Sequence, residues 1–184
     1  EAVTFYKGLG DLKAKAGRLE KLSRALASYI DGCDVEHAGR AGYLAKADLV
    51  TGMVGEFPEL QGIIGGYYAR HDGEPGSIST AIATHYRPQG PTDDVPQTPI
   101  AKAVALADKI DTLVGFFGIG TKPTGSKDPF GLRRAALGVI RIILGGKLRL
   151  PLQTLLNEAA QGYGFNAVDQ DVLPFIFERL RVYL

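Results

Sequence analysis

Residues 105–134 read ALADKIDTLVGFFGIGTKPTGSKDPFGLRR, and this stretch decides the fold class. Its first part continues an apolar pattern that starts at Ile100. Val104, Ala107, Ile110, Leu113 and Val114 recur at three- and four-residue spacing, which places them on one helix face and predicts a helix from Ile100 to Phe116. Gly118 to Asp128 is rich in Gly, Pro and Lys and reads as a connector. Asp128 then supplies an N-cap carboxylate and Pro129 an N1 residue, so a second helix is expected from Pro129 to about Leu144.

Working outward, the same period of 3.6 dominates and no convincing strand alternation appears. A helix is expected from Asp11 to Ile30, with Leu12, Leu19, Leu22, Leu26, Tyr29 and Ile30 as its apolar stripe, Asp11 as N-cap and Gly32 as its end. Another is expected from Val35 to Val54, with Leu44, Ala45, Leu49 and Met53 turned inward. Pro58 suits the first turn of a third, carrying Leu60, Ile63, Ile64, Tyr67 and Tyr68. Its Gly65-Gly66 pair would cost about 1 kcal/mol each relative to Ala, so it marks a place where another helix backbone comes close. A turn at His71 to Gly76, a helix from Ser77 to His85 and a proline-rich loop from Arg87 to Pro99 follow. Pro151 separates a final helix pair, Leu152–Gln161 and Asp169–Leu184, with Asn166 to Asp169 near their junction. The expected class is all-α, divided into residues 1–150 and a C-terminal helix pair at 151–184.

Bulk properties bound the function. The chain has 184 residues, 45% of them hydrophobic, and a mean hydropathy near zero, an ordinary globular composition. No apolar run approaches the ~20 residues that cross a bilayer. The single cysteine, Cys33, cannot form an internal disulfide, and no CxxC spacing exists for zinc, which fits a reducing cytoplasm. Residue 1 is Glu rather than Met, and the last residues stop inside an apolar pattern, so the chain reads as a piece of a longer polypeptide. Net charge is only +1, yet it is unevenly spread. From Phe116 to Leu150, Lys122, Lys127, Arg133, Arg134, Arg141, Lys147 and Arg149 are set against Asp128 alone, an asymmetry that steers anionic partners to one side.

A second stretch, KADLVTGMVGEFPELQG from Lys46 to Gly62, completes a longer pattern. Asp48, Thr51, Glu56 through Gly62, Tyr68-Ala69, Gly73-Glu74, Ala107-Asp108-Lys109, Asp111-Thr112-Leu113 and Pro123 through Arg134 together resemble the central region of the β subunit of bacterial glycyl-tRNA synthetase, the α2β2 type. The resemblance implies that the glycine and ATP site belongs to the α subunit, that ATP and Mg are used by the holoenzyme, and that no cofactor is bound by this piece. It also implies tRNA-Gly and the α subunit as partners. Residues 151–184 would then lead toward a following anticodon-binding domain.

The helix order is also similar to the HD superfamily of metal-dependent phosphohydrolases, so the fold is expected to be an HD-domain-like helical bundle with additional C-terminal helices. That resemblance implies a His on the first helix, a His-Asp pair on the second and an Asp on the fifth, binding a cation that activates water. Asp108 matches the last ligand and Asp48 the Asp of the pair. Ala47, however, stands where the His belongs, and Arg18 lies near the first-helix position. Two carboxylates without imidazoles make a weak cation site, and a guanidinium repels the metal. The site reads as degenerate, with Arg18 or Lys46 available to pair with Asp48 or Asp108.

Other chemistry finds no motif. His37, His71 and His85 lack zinc spacing, no GxSxG elbow exists, and Gly118-Ile-Gly-Thr-Lys lacks both the preceding strand and the ending of a phosphate loop. Binding remains. Lys122, Lys127, Arg133, Arg134 and Arg141, with the N-terminus of the Pro129 helix, form a candidate tRNA phosphate surface. Arg133 and Arg134 have a second option, pairing with acids such as Asp111 or Glu56. Tyr67 and Tyr68 suit base stacking, but their helical spacing reads as core. Glu56, Glu59 and Gln61 read as cap chemistry. Two alternatives stand beside a tRNA-binding domain supporting ATP-dependent glycylation: an HD-type metal-dependent phosphohydrolase, which needs a metal at Asp48 and Asp108, and a scaffold docking the α subunit, which needs a large exposed apolar patch.

Overall fold

The computed structural model describes residues 3–166 and 169–184. They form an all-α protein built around one central helix, α6 (Pro99–Gly118). Pro99 sits in its first turn and the Thr98 hydroxyl caps it, accepting from the Ala101 N–H at 3.3 Å. Alanines at 101, 103, 105 and 107 are almost fully buried. Small residues all round let neighbours approach from every side, the pattern of a helix that forms the core itself. Around it pack α1 (Leu12–Ala27), α2 (Val35–Leu44), α5 (Gly76–Thr84), α7 (Leu132–Gly146), α8 (Leu152–Tyr163) and α9 (Asp169–Tyr183).

α1 follows its pattern: Asp11 accepts from the Ala14 N–H at 2.7 Å, and Leu19, Leu22 and Leu26 are buried. It ends at Ala27, which leaves Tyr29 exposed. A small hairpin before it, β1 (Thr4–Tyr6) with β2 (Gly10–Asp11) antiparallel, was not expected. Strands of two and three residues are too short for alternation to register.

The region from Val35 to His71 departs most from expectation. α2 stops at Leu44, and the chain continues as a 3-10 turn (Ala47–Val50), the short α3 (Gly52–Glu56), a second 3-10 turn (Pro58–Leu60) and α4 (Ile63–His71). Side-chain hydrogen bonds cause the break. Buried Asp48 accepts from the N–H groups of Gly62 at 2.6 Å and Gly65 at 3.0 Å. The Thr51 hydroxyl donates to the Asp48 carbonyl at 2.6 Å and caps α3. Short polar side chains that satisfy backbone groups in this way compete with a continuous helix. The resulting rotation buries Val54 rather than Met53, half-exposes Leu49, and leaves Tyr67 and Tyr68 in solvent rather than in the core. The close approach expected at Gly65-Gly66 is present. A Cβ on Gly66 would lie 2.7 Å from that of Ala83 on α5.

α7 begins at Leu132, three residues beyond Pro129. Asp128 still caps it, accepting from Leu132 N–H at 2.8 Å and Arg133 N–H at 2.9 Å across Gly131, which is left-handed at φ 64°. α8 follows Pro151 and packs on α6 and α1, while α9 packs on α7, α8 and α6. Leu155, Leu156, Val172 and Ile176 join the same buried cluster as Leu106 and Val139. Of the expected Asn166–Asp169 junction, Ala167 and Val168 lie outside the described residues.

Candidate functional site

A buried ionic cluster sits between α1, the Lys46 turn, α6 and α8. α6 presents Asp108 and Asp111 three residues apart, hence on one face. α1 supplies Lys15 and Arg18. Lys15 Nζ donates to Asp111 Oδ2 at 2.8 Å and lies 3.4 Å from Asp108 Oδ1, an oxygen that accepts no hydrogen bond among the described residues. Arg18 Nε donates to Asp111 Oδ1 at 2.9 Å, and the Tyr163 hydroxyl of α8 donates to Asp111 Oδ2 at 2.8 Å. Lys46 Nζ donates to Asp108 Oδ2 at 2.9 Å and stands 3.9 Å above the Tyr86 ring. The Lys15 side chain is only 1% exposed, so these are charges taken out of water and held by partners.

Electrostatics follow from that burial. Burial alone would raise the Asp108 carboxyl, but the Lys46 and Lys15 ammonium groups override it and hold the group well below the usual carboxylate range. His85, fully buried after α5, is pushed down to about 3 by burial and then by the Lys46 charge, so its imidazole is neutral near pH 7. Its Nδ1 lies 2.6 Å from the Ile82 carbonyl, and its Nε2 has no partner among the described residues. Lys109 donates to the His85 and Arg87 carbonyls at 3.1 and 2.8 Å, and burial pushes it down to about 8. Cys33 is half-buried, and burial pushes its thiol up to about 11, the wrong direction for a nucleophile.

The donor set does not fit a catalytic divalent cation. Asp48 gives one oxygen, Oδ2, to two backbone N–H groups, and Asp108 is paired with two lysines whose charges repel a cation. Among the described residues no three His, Cys, Asp or Glu side chains are arranged to hold a metal. Of the pairings open from sequence, Lys46 takes Asp108, while Arg18 takes Asp111 instead of either degenerate position. Lys15, Asp111 and Tyr163 were missed as members of the cluster. The available signal was Lys15 lying on the apolar stripe of α1, between Leu12 and Leu19, where a solvated lysine does not belong.

Beside the cluster opens a cavity of about 490 Å³, whose lining includes Lys15, Lys46, Asp108, Lys109, Tyr86 and Arg134. Of the basic residues of the connector and α7, Arg134 lines this cavity, and the set divides. Arg133 and Arg134 line a second groove of about 430 Å³ together with Gly90 and Pro91. Arg141 joins that side, donating to the Gly90 carbonyl at 2.7 Å. Arg133 donates to the Gly125 carbonyl at 2.6 Å. Lys122 is drawn to α9, 2.7 Å from Asp171. Lys127 and Arg134 are exposed, and among the described residues neither side chain has a hydrogen-bonding or ionic partner. The alternative pairing of Arg133 or Arg134 with Asp111 or Glu56 is not formed, because Asp111 is filled by Lys15 and Arg18 and Glu56 faces solvent. The α7 N-terminus is also less available than expected, since Asp128 already occupies two of its N–H groups. Elsewhere, Val50, Met53, Phe57, Ile63 and Tyr67 leave a run of large apolar side chains exposed from the first 3-10 turn to α4. No described helix is long and apolar enough to cross a membrane.

Fold and site together define an all-α domain whose central carboxylates are neutralised by lysine and arginine. A family model described as the glycyl-tRNA synthetase beta subunit matches residues 1–184. The glycine–tRNA ligase beta subunit of Chromohalobacter salexigens is 51% identical over 187 residues, covering 100% of this chain and 27% of that protein. That of Aromatoleum aromaticum is 53% identical, covering 97% of this chain and 26% of that protein. That of Phenylobacterium zucineum is 52% identical, covering 100% and 26%. The chain belongs to the glycyl-tRNA synthetase beta subunit family, and it spans about a quarter of the length of these curated relatives.

Proposed function

We propose that this chain is an HD-like, tRNA-binding part of the β subunit of a cytoplasmic α2β2 glycyl-tRNA synthetase. It holds tRNA-Gly while the α subunit carries out ATP- and Mg-dependent glycylation, and it is not itself catalytic. The observation that carries the RNA contact is the pair of exposed cations Lys127 and Arg134, unpartnered among the described residues, with Arg133 and Arg141 alongside on α7. A phosphate backbone supplies the counter-charges that the protein leaves out. The non-catalytic part rests on the Lys46–Asp108 and Lys15–Asp108 pairs, which put ammonium groups where an HD enzyme would need a metal.

The test is tRNA-Gly binding by the α2β2 enzyme as a function of salt. A Lys127→Ala/Arg134→Ala variant weakens binding and flattens log K against log salt by roughly 0.7 to 0.9 per lost contact. Lys122→Ala and Arg141→Ala act less, because each is already engaged within the protein. Wild-type affinity and slope in the double variant would remove RNA from this face. A second role, docking the α subunit, is favoured by the large apolar side chains Val50, Met53, Phe57, Ile63 and Tyr67, all exposed within residues 50–67, since clustered apolar exposure marks a protein contact. The two roles use different surfaces and are compatible.

A further inference from the structure

We propose that the cavity between α1, the Lys46 turn and α6 is a binding site for a phosphate monoester of nucleotide size. The imbalance of charge is the starting point. Four cations line it, Lys15, Lys46, Lys109 and Arg134, against one carboxylate, Asp108. Asp111 lies outside the lining and is shared between Lys15 and Arg18. Lys109 is held by two carbonyls, which accept its hydrogen bonds without cancelling its charge. Lys46 spends one of its three N–H donors on Asp108 and turns toward Tyr86, and Arg134 meets no acid among the described residues. Asp108 and Asp111 serve Lys15, Arg18 and Lys46 between them, while Lys109 and Arg134 have no carboxylate partner among the described residues, and a cavity with that surplus favours an anion.

The number and kind of charges narrow the ligand. Set against the buried carboxylates Asp48, Asp108 and Asp111, the cations Lys15, Arg18, Lys46 and Lys109 leave one positive charge over, and the rim arginine Arg134 adds a second. A phosphate monoester brings up to two negative charges and three acceptor oxygens near neutral pH, enough to meet them at once. Guanidinium and ammonium groups together are the usual holders of such a group. The volume of about 490 Å³ lies within the range of small-ligand pockets. Phe5, Tyr86 and Phe130 along its wall give a nucleoside apolar surface to lie against. The same chemistry is found in a free mononucleotide and in the 5′-monophosphate end of an RNA. The proposal does not depend on the connector binding RNA, since Lys127 is absent from the lining and Lys46 is absent from the connector.

The experiment is calorimetric titration of the α2β2 enzyme with AMP, adenosine, and a short RNA carrying either a 5′-phosphate or a 5′-hydroxyl. The expected result is binding of at least one phosphorylated probe with the unphosphorylated partner at least tenfold weaker. AMP binding identifies a free-nucleotide site, and binding of the 5′-phosphorylated RNA alone identifies a chain-end site. Arg134→Ala, at the exposed rim, weakens binding several-fold with an unchanged melting temperature. Lys46→Met weakens it at least tenfold, and Lys46→Arg keeps most of it. Should Lys46→Met unfold, Lys46→Met/Asp108→Asn removes both members of the pair and gives the same loss. Equal binding of AMP and adenosine together with equal binding of the two RNAs would overturn the proposal. So would no binding of any probe at millimolar concentration, or phosphate-dependent binding untouched by both Arg134→Ala and the Lys46 variants.

Discussion

Asp111→Asn keeps the shape of the side chain and removes its charge, at the point where α1, α6 and α8 are tied together. The native carboxylate accepts from Lys15 at 2.8 Å, Arg18 at 2.9 Å and Tyr163 at 2.8 Å. Lys15 and Arg18 side chains are 1% and 9% exposed, so water cannot replace the lost anion. Removing one partner from a buried ionic group typically costs about 3 to 5 kcal/mol, because the other charge is left without compensation. Against a usual domain stability of about 5 to 15 kcal/mol, that is a large fraction. Urea unfolding of the chain at pH 7 is expected to show a midpoint lowered accordingly with little change in slope. Adding Lys15→Met to Asp111→Asn removes one stranded cation and should recover about 1 kcal/mol or more, a coupling that a double-mutant cycle isolates. A loss below about 1 kcal/mol for Asp111→Asn, or no recovery in the double variant, would show that the cluster is solvated and that its excess charge is not buried.

Asp128→Ala strips the carboxylate from the Leu132 and Arg133 N–H groups and should cost about 1 to 2 kcal/mol, read as a lower unfolding midpoint. His85 links stability to acid. Its folded pKa is about 3 against an ordinary 6.5, so between those values the unfolded chain binds a proton that the folded chain refuses. Stability contributed by neutral His85 is therefore full above about pH 6.5 and falls as pH drops toward 3, by at most about 1.4 kcal/mol per unit. Denaturant midpoints at about pH 7, 6 and 5 should decline less steeply in His85→Gln than in the native chain. Parallel declines would remove His85 as the cause.

The helices legible in the sequence are those that bury a continuous stripe. α1, α5 and α8 obey the 3.6 period because packing against one core enforces it, while α6, buried on nearly every side, shows the period only in its larger apolar residues. The Val35–His71 region escaped for a physical reason. Asp48 and Thr51 spend their side chains on backbone groups of the turn, and nothing in hydrophobic periodicity records that competition. Tyr67 and Tyr68 were misplaced by the same cause, since the turn that Asp48 holds sets the rotation of α4 and leaves both rings facing solvent. At the site, Asp108 with Lys46 was legible because each residue stood in a recognisable motif. Lys15, Asp111 and Tyr163 meet across 96 and 52 positions of chain, separations that no local spacing reveals. The basic connector was legible as composition alone. Which of its cations are free depended on where Asp171, Gly125 and Gly90 fell in space.

Contact between the basic connector and tRNA is tested most directly by photo-cross-linking in the assembled α2β2 enzyme with bound tRNA-Gly. A photoreactive residue placed at position 127 should form an adduct with the tRNA, while one placed at position 67, on the exposed apolar run, should form an adduct with protein and none with RNA. A tRNA adduct from position 67 and none from position 127, in an enzyme that still binds tRNA, would contradict RNA binding by the connector and put the RNA on the α3–α4 face.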